Sequence, residues 1–241
     1  MNEAESGAAA VARRLRQQGE DDLKTIVCYG DSNTWGYMPK RERPELSANN
    51  RFPWGVRWTS LLQAKLGADY RVEEEGLNGR TTMFDDPLDI CRNGLESIDC
   101  CMLTRHPVDL VILMLGTNDV KEFFGMPPYV IARGCARLIE RIQTGGYGPG
   151  GSAPEILLCA PLKLPDTLPG SWLGDEFGPG AIARNDALPA YYEKVAAEKG
   201  VHYLNVAASI TADPADSIHM NEAGHAAAAE LMYQQVKRIL G

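Results

Sequence analysis

The sequence feature that most constrains the fold is residues 108–115, VDLVILML, an almost continuous apolar run. Such a short apolar run fits a buried β-strand, because a strand covered on both faces has no solvent side to make polar. Strands of this kind occur in parallel sheets whose two faces are packed by helices. Four further strand candidates complete a set of five: residues 25–29 (TIVCY), 70–74, 155–160 (EILLCA) and 201–206 (VHYLNV).

Helical patterns separate these strand candidates along the chain. Residues 56–66 place four apolar side chains on one side of a helix, namely Trp58, Leu61, Leu62 and Leu66, and Gly67 ends it. The alternation of strands and helices predicts an α/β fold, a single-domain, doubly wound α/β/α sandwich around a five-stranded parallel sheet of flavodoxin-like type. Ligands of such sheets bind at the carboxyl ends of the strands. The other predicted helices are residues 127–143, 186–199 and 222–240.

The length of 241 residues fits one α/β domain better than two. We assign residues 23–241 to this domain and residues 1–22 to an N-terminal arm, flexible or helical. Residues 39–53 and 144–154 have the composition of loops. Residues 165–180, which mix proline, glycine and aromatic side chains, form a third loop that is long for a plain connection. We therefore predict that it covers a site.

Composition excludes several classes of partner. The net charge of -8 disfavours a nucleic-acid partner, which needs a concentrated basic face. Apolar runs stay well short of the roughly 18 residues of a membrane span, and the N-terminus lacks the apolar core of a signal peptide. The six cysteines follow neither a metal-ligand spacing nor a disulfide framework, which predicts buried free thiols and a cytoplasmic protein.

Ser32 is the first candidate for chemistry. It lies in Gly30-Asp31-Ser32-Asn33, directly after the first predicted strand, and so at the carboxyl edge of the sheet. Gly30 permits a tight turn there, and a following helix would offer backbone N–H groups to a developing anion. The competing interpretation is that Ser32 only caps that helix.

Two more motifs follow predicted strands and reach the same edge. The third strand leads into Gly116-Thr117-Asn118-Asp119, where the Asn118 carboxamide could donate a hydrogen bond to an oxyanion. The second strand leads into Asn78-Gly79, where a glycine lets a backbone N–H approach a ligand closely. Ordinary turn formation is the alternative for both motifs.

A carboxylate and a histidine near the C-terminus complete the set. In Asp216-Ser217-Ile218-His219, a turn would bring the Asp216 carboxylate to one ring nitrogen and leave the other free to take a proton. Asp213 competes for this role but lies farther back, beside Pro214. The alternative for the whole motif is a helix-capping aspartate with a surface histidine. The other three histidines are predicted to be structural or exposed: His106, His202 and His225.

The order of these residues resembles the SGNH/GDSL hydrolase family, whose marker serine, glycine, asparagine and histidine fall on Ser32, Gly79, Asn118 and His219. The stretches CYGDSNTWGY, EEEGLNGRTTMFDDP and VDLVILMLGTNDVKEFF are similar to the bacterial arylesterase/acyltransferase branch. That branch typically reads GDSLTWG, so Asn33 departs from its leucine. It also often carries alanine where this chain has Gly79.

The resemblance implies a serine esterase for short-chain (acetyl-type) or aryl carboxylic esters, with Ser32, Asp216 and His219 catalytic and no metal or cofactor. The oxyanion hole would comprise the Ser32 and Gly79 N–H groups and the Asn118 amide. The resemblance also implies a homo-oligomer, and it is compatible with acyl transfer. Aromatic side chains lie just past two of the motifs and could either line the pocket or pack the edge of the sheet: Trp35, Tyr37, Phe123 and Phe124. The substrate-contact candidates are Asn33, Trp35, Phe123 and Ile218.

Three alternatives stay open at this stage. A carbohydrate acetylesterase would use the same residues on acetylated xylan or sugars. A non-catalytic ligand-binding module would use the same scaffold without the chemistry. A metal hydrolase built on His219, Asp216 and Asp119 is disfavoured, because its ligands would be few and the histidines are scattered.

Overall fold

The computed structural model describes residues 23–45 and 49–241. The predicted N-terminal arm, residues 1–22, lies outside the described residues, and the boundary at residue 23 stays a prediction. No helix in the described part of the chain is both long enough and apolar enough to span a membrane.

Five parallel strands form one sheet in the order β2-β1-β3-β4-β5. Every predicted strand is present, and the fold class is confirmed. The central strand, β3, is fully buried, as expected for an apolar strand covered on both faces. The strand bounds are β1 Lys24–Gly30, β2 Tyr70–Gly76, β3 Leu110–Met114, β4 Glu155–Ala160 and β5 His202–Asn205.

Helices cover both faces of the sheet and make the two outer layers of the sandwich. Alternate residues of the strands point to opposite faces, so Val27 and Val111 pack on one side while Ile26 and Ile112 pack on the other. The first side is covered by α3, α4 and α6, and the second by α2 and α7. The helix bounds are α1 Ser32–Trp35, α2 Trp58–Leu66, α3 Gly94–Arg105, α4 Pro128–Thr144, α5 Gly174–Phe177, α6 Ala181–Lys199 and α7 Glu222–Leu240.

Two of the long helices differ from the sequence prediction. Helix α3 was not predicted, because its largest fully buried side chains are only Ile98 and Met102, one turn apart, and they make no long apolar stripe. The Asn93 side chain accepts a hydrogen bond from the Leu95 N–H and caps this helix. Helix α6 begins at Ala181, five residues before the predicted start at 186, and continues through Pro189.

The prediction of buried thiols holds for only half of the cysteines. Cys28, Cys135 and Cys159 are buried, whereas Cys91 and Cys100 are exposed and Cys101 is half-buried. Cys100 lies on the solvent side of α3. Because this helix was not predicted, its exposed face was not predicted either. All six thiols are free.

Candidate active site

The predicted site residues meet at the carboxyl ends of the three adjacent strands β2, β1 and β3. Gly30 pairs with Gly76 on one side and with Met114 on the other, so these strands end at the same level. Ser32, Gly79 and Asn118 follow within a few residues of these ends. Together with His219 they line one cavity. The position at the carboxyl edge of a parallel sheet is the one expected for a ligand site.

Ser32 is the first residue of α1, and the capping of this helix leaves its hydroxyl group free. Asp31 is the N-cap, and its carboxylate accepts a hydrogen bond of 2.9 Å from the Asn33 N–H. The capping role considered for Ser32 therefore belongs to Asp31. Helix α1 can lie against β2 because Gly76 has no side chain: a Cβ there would approach the Trp35 nitrogen to 2.2 Å.

A continuous chain of hydrogen bonds joins the serine to a buried carboxylate. The His219 Nε2 lies 2.9 Å from the Ser32 Oγ, and the His219 Nδ1 lies 2.8 Å from the Asp216 Oδ2. Ser32 is 5% exposed, His219 6% and Asp216 0%. An ionised carboxylate only accepts, so Nδ1 carries the proton and Nε2 is left to accept the serine proton.

Several donors hold Asp216 in its charged form. Its Oδ1 accepts hydrogen bonds of 3.0 Å from the backbone N–H groups of Ile218 and His219. Burial by itself raises the pKa of Asp216, but the hydrogen bond and charge of His219, with these two N–H groups, bring the pKa below its ordinary value. Asp216 is therefore a carboxylate at neutral pH.

Asp213, the competing carboxylate, serves a different part of the same turn. Its Oδ2 accepts a hydrogen bond of 2.8 Å from the Asn221 side chain, and its Oδ1 accepts one of 2.8 Å from the Ala215 N–H. The turn also places Ser217 at a φ of 67°, in the left-handed region. Hence the structure brings Asp216, and not Asp213, to the His219 ring.

Asn118 and Gly79 line the same cavity as His219, and hydrogen bonds join the two loops that carry them. One Asn118 amide hydrogen is donated to the Arg80 carbonyl over 3.0 Å, which leaves the second hydrogen of that amide. Gly79 has a φ of 76°, a conformation that glycine adopts without strain. The neighbouring Asp119 accepts hydrogen bonds from the Thr82 N–H (2.9 Å) and hydroxyl (2.5 Å), which links the two loops again.

Asp119 does not join His219 and Asp216 as the metal-hydrolase alternative requires. Its carboxylate is fully buried against Thr82, and burial raises its pKa to about 6. In the described part of the chain, no three histidine, cysteine, aspartate or glutamate side chains are grouped as metal ligands.

The cavity above Ser32 is small, about 150 Å³, and its wall is mixed in character. Tyr37 stacks on the His219 ring with a centroid distance of 4.2 Å. Trp172 and Phe177 add further aromatic surface. Five other side chains of the lining are polar or charged, namely Asn78, Asp89, Arg92, Lys121 and Glu176.

Of the four predicted substrate contacts, the structure brings only Ile218 to this cavity. Asn33 is 1% exposed and hydrogen-bonds to the turn that carries His219. Trp35 lies under the Arg51 guanidinium, 4.9 Å from the ring centroid. Phe123 is 41% exposed and packs on Phe124.

Several residues of the cavity wall were missed by sequence reasoning. The loop predicted to cover a site does so, and it contributes Trp172, Leu173, Glu176 and Phe177. Lys121 anchors this loop through an ion pair of 2.5 Å with Glu176, and it lies 3.8 Å from Asp86. The length and the aromatic content of residues 165–180 indicated the loop, but no local pattern indicated which of its side chains face inward.

Comparison with known proteins gives relatives of similar size and fold. The model of the GDSL-like lipase/acylhydrolase family matches residues 28–227. An arylesterase of Vibrio mimicus is 34% identical over 104 residues, which cover 42% of this chain and 46% of that protein, so the chain spans under half the length of this curated relative.

Two solved structures match over nearly their whole length. The aryl esterase of M. smegmatis is 36% identical with a TM-score of 0.84, covering 90% of this chain and 100% of that one. A carbohydrate acetylesterase from Sinorhizobium meliloti is 35% identical with a TM-score of 0.81, covering 89% and 99%.

Proposed function

The chain belongs to the GDSL-like lipase/acylhydrolase family, and from this premise we propose that it is a serine esterase acting on short-chain (acetyl-type) or aryl carboxylic esters through an acyl-enzyme. One observation carries the proposal: the hydrogen-bonded series Asp216–His219–Ser32, with distances of 2.8 and 2.9 Å, opens on a cavity at the carboxyl edge of the sheet. A serine, a base and an orienting carboxylate in this order are the parts of an activated nucleophile.

The proposed reaction has two halves. His219 Nε2 takes the Ser32 proton as the Oγ attacks the ester carbonyl carbon, and the proton then goes to the departing alcohol as its C–O bond breaks. Water then attacks the acyl-enzyme while His219 takes its proton, and Ser32 leaves with that proton to regenerate the free enzyme. Asp216 keeps the proton of the ring on Nδ1 and stabilises the imidazolium in both halves.

The oxyanion that forms in each half needs hydrogen-bond donors. We assign this role to the backbone N–H groups of Ser32 and Gly79 and to the free hydrogen of the Asn118 amide. The cavity wall contains all three residues, and Asn118 is only 5% exposed, so a hydrogen bond there is shielded from water. The bond from Asn118 to the Arg80 carbonyl supports the role, because it fixes the orientation of the amide.

The size of the cavity favours short acyl groups. Its volume of about 150 Å³ is below the roughly 300–1,000 Å³ of ordinary ligand pockets. Trp172 and Tyr37 offer flat apolar surface to an aryl leaving group. The name of the M. smegmatis relative, aryl esterase, agrees with this choice.

Carbohydrate acetylesterase activity is the second candidate, and the polar wall of the cavity favours it. Asn78, Asp89, Arg92 and Glu176 offer donors and acceptors that suit the hydroxyl groups of a sugar. The S. meliloti relative with this activity in its name is nearly as similar as the aryl esterase. Both activities would use the same serine.

Three finer properties belong to the proposal. Six free thiols support a reducing, cytoplasmic setting. Exposed Leu88 and Ile90, beside the cavity residue Asp89, support association into a homo-oligomer.

Acyl transfer to an alcohol would follow if an alcohol replaces water in the second half of the reaction. Product analysis in mixed alcohol and water measures the ratio of acyl transfer to hydrolysis.

Hydrolysis of a panel of acetyl esters tests the proposal. The panel contains phenyl acetate, longer-chain phenyl esters, acetylated xylan and acetylated sugars. We expect wild type to hydrolyse members of this panel and Ser32→Ala to lose the activity, while Ser209→Ala, which changes an exposed serine, retains it. A wild type inert to every ester would favour the non-catalytic binding module, and a preference for the acetylated carbohydrates would favour the second candidate.

A further inference from the structure

The residue after the proposed nucleophile joins two distant parts of the site. The Asn33 Nδ2 donates to the Ile218 carbonyl over 3.2 Å, and the Asn33 Oδ1 accepts from the Met220 N–H over 3.0 Å. Ile218 and Met220 are the residues immediately before and after His219. One side chain thus holds the backbone on both sides of the histidine, although it lies 185 and 187 residues away in the chain.

Because the contact is buried, the side chain at position 33 must provide the hydrogen-bond partners of the backbone groups around it. Asn33 is 1% exposed, Ile218 2% and Met220 1%. A carboxamide has both a donor and an acceptor at its end, so it satisfies a carbonyl and an N–H together. Leucine has nearly the same size and neither group, and it would leave two buried backbone groups without the partner they have in the described structure.

The histidine turn has its own internal bonds, but these do not fix it relative to Ser32. Asp216 Oδ1 accepts from Ile218 N–H and His219 N–H, so it shapes the turn from within. The bond between His219 and Ser32 is the one that must change during the reaction. Asn33 supplies two bonds between α1 and the turn that take no part in proton transfer.

We propose that Asn33 is a positioning residue, which holds His219 Nε2 at hydrogen-bond distance from Ser32 Oγ. The inference rests on the proposed function, because it concerns the same serine and histidine. It differs from a substrate-contact role, since Asn33 lies behind the cavity wall with both ends of its amide bonded to backbone. A small misplacement of a catalytic group is enough to slow the chemical step, by up to about 10²-fold for roughly 1 Å.

The primary test compares Asn33→Leu with Asn185→Leu. Asn185 is also 1% exposed and donates to a backbone carbonyl, that of Leu162, so its replacement likewise removes a buried asparagine bonded to backbone. We expect Asn33→Leu to lower kcat by about 10- to 100-fold with KM within about twofold, and Asn185→Leu to leave kcat within about twofold. Asn33→Ala removes the same two bonds without added bulk, and the same loss is expected if the leucine variant folds poorly.

A double-mutant cycle separates positioning from a general structural effect. Adding Asn33→Leu to His219→Ala should change the residual kcat by less than about twofold, because a residue that acts through His219 has nothing left to position. A full additional loss in that background, or an unchanged kcat in Asn33→Leu and Asn33→Ala alone, would overturn the inference while leaving the esterase proposal intact. A kcat that His219→Ala does not lower would overturn the proposed site, and this inference with it.

Discussion

Two buried histidines six residues apart show how the surroundings of a ring decide what it can do. His219 lies in the turn before α7, with Asp216 on one nitrogen and Ser32 on the other. His225 lies in the first turns of α7, where its Nδ1 accepts a hydrogen bond of 3.2 Å from the Trp58 N–H, and its ring packs edge-on against Phe52. Its Nε2 has no hydrogen-bond partner among the described residues.

The surroundings of the two rings differ in that only His219 has a carboxylate, that of Asp216, bonded to it. Burial first, and then the charges of His219 and Arg57, lower the pKa of His225 to about 4, so this ring is neutral and has no acid to stabilise its protonated form. His219 is also buried, at 6% exposed against 0% for His225, but its ring is bonded to the ionised Asp216. Burial alone therefore makes a packing residue, whereas burial with an oriented carboxylate makes a candidate base.

The same substitution at both histidines should separate the two regions most strongly. We expect His219→Asn to lower kcat by about 10⁴- to 10⁶-fold, because the serine loses its proton acceptor. His225→Asn should keep kcat within a few-fold, since the Asn oxygen can take the place of Nδ1 as acceptor for Trp58. Steady-state kinetics on one ester measures both, and comparable losses would remove the distinction between the two rings.

The carboxylates of the turn provide the next test, because Asp213 is a matched control for Asp216. Asp216→Asn should lower kcat by about 10⁴-fold, since an amide neither fixes the proton on Nδ1 nor stabilises the imidazolium. Asp213→Asn changes a carboxylate that bonds Asn221 and the Ala215 N–H, and its kcat should stay within a few-fold. A larger effect at Asp213 would transfer the orienting role to that residue.

The proposed oxyanion donors should contribute less to kcat than the turn that carries Asp216 and His219. Asn118→Ala removes one proposed oxyanion donor of three, so we expect kcat to fall by about 10²- to 10³-fold, or about 3–4 kcal/mol of transition-state stabilisation. Circular dichroism and thermal unfolding serve as controls for the lost bond to the Arg80 carbonyl. Undiminished turnover in a folded variant would remove Asn118 from the mechanism.

The smallest expected effect is a pH-dependent change in the free energy of unfolding that His225 causes. Its pKa is about 4 in the folded protein, against an ordinary value of 6.5, so the unfolded chain binds the proton more tightly. The contribution to stability is present above pH 6.5 and is lost as pH falls from 6.5 towards 4, by up to about 3 kcal/mol.

Denaturant unfolding of wild type and His225→Asn across this range measures that contribution. The quantity to follow is the difference in the free energy of unfolding between the two proteins. Asp119 is present in both, and because its pKa is raised to about 6, it lowers the stability of both as pH rises. A difference in the free energy of unfolding that does not change between pH 7 and 4 would show that His225 does not titrate in this way.

The location of the site at the edge of the sheet was predictable, because its residues follow the ends of predicted strands. Ser32, Gly79 and Asn118 each come a few residues after a predicted strand, and parallel strands bring such positions to one edge. The family resemblance drawn from these motifs is confirmed, as is the five-stranded parallel sheet. Asp216 and His219 were predictable because a three-residue separation in a turn brings the two side chains together.

What the sequence did not reveal depends on side-chain directions in long loops and weakly patterned segments. Nothing in the motif GDSN indicates that the Asn33 amide turns away from the substrate and towards residues 218 and 220. The inward side chains of residues 165–180 are set by an ion pair between Lys121 and Glu176, 55 positions apart, which no local period encodes.

The identity of the nucleophile is the claim on which the rest depends, and a fluorophosphonate probe tests it directly. The probe traps an activated serine covalently, and peptide mass spectrometry locates the modified residue. We expect one adduct, on Ser32, with labelling abolished in Ser32→Ala and strongly slowed in His219→Asn but not in His225→Asn. An adduct on a different residue, or a wild-type protein that stays unlabelled while it hydrolyses esters, would contradict the account.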